Sequence, residues 1–221
     1  MTRVNPLRRG LGAVARYVRG APGTYVWLAV LFVTTVAVHH MSPGFEQHFL
    51  RRRSTNIHEL SRTPLRVLVS SAMWIDGGRW LPYALLYTVF HAPAERWLGT
   101  ARWLAVCASA HVLASLVSEG LLLKAIKDGI APHSAVNTLD IGVSYALAGV
   151  VAVLTYRIPP PWRYGYLAVV LAVFTLPLAG SPTFTDVGHF LAMLIGLACY
   201  PLAKGRAKAR NPKETPATPR G

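Results

Sequence analysis

Two side chains far apart in the chain carry the reactive chemistry of this sequence. Ser144 lies early in the apolar stretch Asp140-Ile-Gly-Val-Ser144-Tyr-Ala-Leu-Ala-Gly149, and His189 follows Asp186-Val-Gly at the start of another. A serine hydroxyl becomes a nucleophile when a histidine takes its proton, so such a pair needs hydrogen-bond contact. Local signals predict how contact arises. With Asn137 as a cap, Asp140 falls at the third position of one helix; with Thr183 as a cap, Asp186 falls at the third position of the other. Both acids then sit at the positive end of a helix dipole. At 1.5 Å per residue, Ser144 lies about 10 Å and His189 about 9 Å inside its helix. Helices starting from the same face would put hydroxyl and imidazole at one level. Ser144, Ala148 and Ala152, like Gly188, Ala192 and Gly196, recur at spacing four, which lets backbones approach closely. A purely structural contact would use the same stripes, with Ser144 bonded to its own backbone. Helix capping is the simpler expectation for Asp186; orienting the imidazole is the sharper one.

The elements that position these residues belong to a membrane protein. The 221 residues are 52% hydrophobic and 14% charged, with a mean hydropathy of +0.35. Soluble domains carry about 25% charged residues. Lys and Arg number 23 against 9 acids, mostly in termini and loops, where anionic lipid headgroups are the expected partner. Nucleic acid is not expected, because no basic and aromatic strip accompanies the charge. Cys107 and Cys199 lie in apolar runs and predict no disulfide. No His-Glu-x-x-His occurs, and His39, His40, His48 and His58 lack ligand spacing, so neither metal nor other cofactor is expected. His91, His111 and Glu119 are expected to make polar helix contacts.

The predicted fold is all-α and polytopic, with six membrane helices. A basic segment, 1–23, precedes a membrane domain over 24–203. Its apolar runs span Tyr25 to Val38, Trp80 to Ala94, Thr100 to Leu123, Thr138 to Tyr156, Tyr164 to Leu178 and Thr185 to Ala203. The first run lacks a small-x-small cleavage site after it, which argues against a removed signal peptide. The segment Pro64 to Trp74, within about 60–75, reads as an amphipathic helix lying in the interface. The tail, 204–221, is basic, Pro-rich and expected to be disordered. Basic flanks favour cytoplasmic termini in the cell membrane. The fourth and sixth runs then both start on the outer face. The absence of internal repeats argues against a solute transporter.

Three blocks of this sequence resemble the rhomboid family of intramembrane serine proteases. Pro64-Leu65-Arg66 is similar to the family's Trp-Arg element, and Glu95-Arg-Trp-Leu-Gly99 to its Glu-x-x-x-Gly. Gly142-Val-Ser144 resembles the Gly-x-Ser of the nucleophile, with Gly149 at a later family glycine. His189, Ala192 and Gly196 form the third block. The resemblance covers roughly residues 64–196 and implies a six-helix rhomboid-like bundle. It further implies a Ser144–His189 dyad that hydrolyses peptide bonds of transmembrane substrates, with no particular oligomer.

Several positions depart from the family pattern. Rhomboids carry Gly directly after the nucleophile, where this chain has Tyr145. Arg79 and Tyr83 stand where active members carry a His and an oxyanion-holding Asn, and Leu65 replaces Trp. Removing one oxyanion donor costs about 10²–10³ in rate. Gly142, Tyr83, Asn137 and Asp186 are the supporting candidates. The alternative expectation is an inactive homologue that binds transmembrane segments as clients.

Overall fold

The computed structural model describes residues 6–208; these are helical nearly throughout and include no strand. Of the tail expected to be disordered, 204–221, the first residues are helical as far as Lys208, continuing the last helix, and residues 209–221 lie outside the described residues.

Helix α1 (Pro6–Arg19) leads into α2 (Pro22–His39). Thr24, Leu28, Leu31, Thr35 and Val38 form the buried face of α2, spaced as one side of a helix requires. Val26, Phe32 and Val33 point outward and stay exposed, as residues facing acyl chains do. The first loop folds into α3 (Pro43–Arg51), α4 (Ile57–Arg62) and α5 (Pro64–Ser71). A helix therefore forms in the segment expected to be amphipathic, but it stops three residues short of Trp74.

The second apolar run is α6 (Trp80–Leu86), a π turn over Tyr87–His91, and α7 (Ala92–Leu98). Pro93 explains the π turn. It has no N–H for the carbonyl one turn back, and its ring crowds that carbonyl, so the helix widens there. Gly99 then turns the chain at φ 84° into α8 (Thr100–Lys127). Only glycine adopts that backbone without strain. Helices α9 (Val143–Val153), α10 (Trp162–Thr175), α11 (Phe184–Ala198) and α12 (Tyr200–Lys208) follow within the described residues.

Among the described residues, three stretches are long and apolar enough to cross a membrane: Pro22–His39, Thr100–Lys127 and Trp162–Ala179. Val143–Arg157 and Phe184–Ala198 are apolar but shorter. Helices α8, α9 and α11 pack most extensively on one another. Ala110, Ala114, Ala148, Ala152 and Ala192, all buried, keep their axes close. At the tightest point a side chain on Gly196 would run into the Gly149 backbone. By contrast α10 lies on the flank and buries only Val170. Cys107 and Cys199 are both free thiols.

Candidate active site

Ser144 Oγ lies 2.9 Å from His189 Nε2, across the contact between α9 and α11. The two helices reach this geometry by different local routes. At α11 the predicted start is what the structure shows. Thr183 Oγ1 accepts from the Asp186 N–H at 3.2 Å, while Asp186 Oδ2 accepts from the Thr183 N–H at 2.8 Å and from its hydroxyl at 2.7 Å. Both halves of a capping box are thus present, and His189 sits six residues beyond the cap.

At α9 the expected start is wrong. Asn137 ends a short 3₁₀ turn, His133–Asn137, and the helix begins only at Val143, with Gly142 as its cap residue. Ser144 is therefore in the first turn, not seven residues inside. Asp140 is occupied elsewhere: its N–H donates to Ser54 Oγ at 2.7 Å, and its Oδ2 accepts from Thr55 Oγ1 at 2.9 Å. Those contacts with the first loop outweigh the local capping signal, and non-helical backbone carries the chain down to the level of His189. Gly142 is required on this path, because any side chain there would overlap the His111 ring. His111 in turn docks the first loop, its Nε2 lying 2.8 Å from the Leu68 carbonyl and 3.3 Å from Ser71 Oγ.

Tyr145 occupies the space behind the imidazole. Its ring is fully buried and meets the His189 ring edge-on, with centroids 5.0 Å apart and planes at 78°. Gly188 makes room for it, since a side chain there would strike the Tyr145 ring. Tyr145 thus packs against the histidine and is absent from the lining of the cavity that Ser144 faces.

That cavity, about 420 Å³, runs between the second apolar run, α9 and α10. Leu86, Phe90, Leu147, Tyr166, Val170 and Phe174 line it, together with Ser144, His189 and Asp186. The Phe174 ring lies 6.4 Å from the imidazole. Nothing in the sequence singled out these lining residues, which look like any other lipid-facing apolar positions.

The remaining candidates lie elsewhere. Asn137 lines an outer bowl with Glu46, Arg51 and Asp76. Tyr83 packs in a cluster with Leu28, Leu31 and Tyr87. Arg79 borders a recess with His39, His40 and Trp80. None of these lines the Ser144 cavity. The buried His91 stacks on Tyr87 at 3.9 Å and accepts from Trp103 Nε1 at 3.2 Å, which are packing contacts.

No curated protein and no solved structure matches the chain. The family model described as rhomboid-like protein matches residues 16–209. That span takes in the first loop, the Glu95 and Gly99 turn, and both sides of the Ser144–His189 contact, and the chain accordingly belongs to the rhomboid-like protein family.

Proposed function

We propose that this rhomboid-like protein is an intramembrane serine endopeptidase using Ser144 and His189. The observation that carries the reading is the 2.9 Å contact between a hydroxyl and an imidazole at the wall of an apolar cavity. His189 Nε2 accepts the Ser144 proton as Oγ attacks a peptide carbonyl, and the imidazolium then protonates the leaving amine. Water hydrolyses the resulting acyl-enzyme with His189 again as base, which restores the serine. No side chain caps the start of α9, which leaves its first amides and the positive end of its dipole available to a developing oxyanion at Ser144. Those backbone groups are better placed for that role than Tyr83 or Asn137. The capping contacts of Asp186 leave it a positioning residue for the α11 start.

The apolar lining suits a transmembrane segment as substrate, and the loosely packed α10 is the flank by which it would arrive. The six-span arrangement assigns one crossing each to α2, α6 with α7, α8, α9, α10 and α11. The termini are then cytoplasmic in a cell membrane, with the dyad towards the outer side. In proteoliposomes, a fluorophosphonate probe should label the wild type and neither Ser144→Ala nor His189→Ala. Cleavage of a designed transmembrane substrate should vanish with the same variants. Equal cleavage by Ser144→Ala sinks the proposal.

One observation favours a second reading, an inert homologue that binds transmembrane segments. The residues at the family's oxyanion positions, Arg79 and Tyr83, do not reach the cavity. Specific labelling of Ser144 would reject this reading. Retained binding of a transmembrane peptide without labelling would favour it.

A further inference from the structure

We propose that α1 is an in-plane anchor that seats the protein on an anionic lipid surface. The helix has 14 residues, a length of about 21 Å. Leu11, Val14 and Val18 follow at intervals of three and four and so share one face, while Arg16 falls on the opposite side and Arg19 on the flank of the stripe. Leu11 is 71% and Val14 61% exposed, an apolar stripe left uncovered by the rest of the fold. The helix carries no acidic residue, so its positive charge is unopposed.

Its attachment fixes where this stripe lies. The Tyr17 hydroxyl donates to the Thr88 carbonyl at 2.9 Å. Arg96 Nη1 donates to the Tyr17 carbonyl at 3.1 Å, with the guanidinium 4.6 Å from the Tyr17 ring centre. These contacts hold α1 beside the start of α2 and the end of α7, where the apolar spans give way to Arg96 and Arg102. At that level an exposed apolar stripe dissolves among acyl chains and guanidinium groups meet phosphates. A second copy would present the same positive charge and be repelled, whereas an anionic leaflet attracts it.

The attachment also reaches the cavity. In the π turn the Ala92 N–H bonds to the Tyr87 carbonyl. In that register the donor for Thr88 would be residue 93, a proline without an N–H. The Tyr17 hydroxyl takes this vacant role. Leu86 and Phe90, on either side of Thr88, line the Ser144 cavity. A seated α1 therefore steadies the wall of the site, whether or not that site is proteolytic.

The test places a nitroxide at Val14→Cys or at Ala13→Cys, in a Cys199→Ala background of the full chain. The protein is reconstituted in phosphatidylcholine with or without phosphatidylglycerol. With phosphatidylglycerol, the label at position 14 should be reached by oxygen and shielded from an aqueous nickel chelate, and the label at 13 should show the reverse. Arg16→Gln and Arg19→Gln should each lower the ratio of seated to unseated helix about five-fold in these bilayers. Both should leave it unchanged in phosphatidylcholine alone. Equal chelate access at 13 and 14 would overturn the proposal. So would immersion indifferent to lipid charge, or a label at 14 shielded from both reagents, which is the sign of a protein partner.

Discussion

Replacing Glu95 tests how α2 is held to the rest of the bundle. Its side chain is 1% exposed and accepts four hydrogen bonds. The Gly23 N–H and the Thr100 hydroxyl reach Oε1 at 2.9 and 2.8 Å, and the Thr24 N–H and hydroxyl reach Oε2 at 2.7 and 2.8 Å. A helix start leaves its first N–H groups without partners, and Pro22 contributes none, so Glu95 serves the two that follow. Its position at the positive end of the α2 dipole adds to the attraction. Hydrogen bonds to a charged acceptor contribute about 1.5–3 kcal/mol each. These four share one carboxylate and are not additive, so removing it in Glu95→Ala should cost about 3–5 kcal/mol. Glu95→Gln keeps the volume but turns an NH₂ towards donors already present, and should cost at least about 1.5 kcal/mol. The site cannot easily rearrange, because a side chain on Gly23 would come within 2.6 Å of Trp103. Unfolding followed by circular dichroism during titration of dodecyl sulfate into mixed micelles reads both losses. A Glu95→Gln protein that unfolds at the wild-type midpoint would refute the capping argument.

Two further substitutions probe the path to the site. Gly196→Ala drives a methyl group into the Gly149 backbone, which cannot yield as a side chain would. The expected cost is about 1–3 kcal/mol. Separating α9 from α11 should also lengthen the Ser144–His189 contact and abolish any fluorophosphonate labelling; full labelling of a stably folded Gly196→Ala protein would contradict this. Gly142→Ala should displace His111 from the Leu68 carbonyl and loosen the first loop. Limited trypsin digestion at Arg51-Arg52-Arg53 should then be faster than in the wild type, and unchanged digestion would count against the docking role of His111.

Local rules alone were enough to read several features from the sequence. Hydrophobic composition and apolar runs predicted a helical membrane protein, and the described residues are helical, with long apolar stretches at three of the six expected places. The Thr183 start of α11 was legible because a capping box is completed within four residues. Glu95 and Gly99 stood out as a motif, although their reasons, a cap for a distant helix and a turn at positive φ, lie outside it. The family likeness was legible too, through residue types in a fixed order.

What only the tertiary structure decided depends on partners remote in sequence. Asn137 and Asp140 carry as good a local capping signal as Thr183 and Asp186. Yet Asp140 is claimed by Ser54 and Thr55, and α9 starts five residues later than the Thr138 expected. From sequence, Tyr145 could block the cavity or line it; it does neither, and its ring lies behind His189, where Gly188, on another helix, leaves room for it. The cavity itself is bounded by apolar residues from three separate elements, and no periodicity distinguishes an apolar residue that lines a cleft from one that faces lipid. Capping and amphipathicity are settled within a turn or two of chain, so sequence records them directly. Which buried polar groups pair, and which apolar faces meet, is settled by competition across the whole fold.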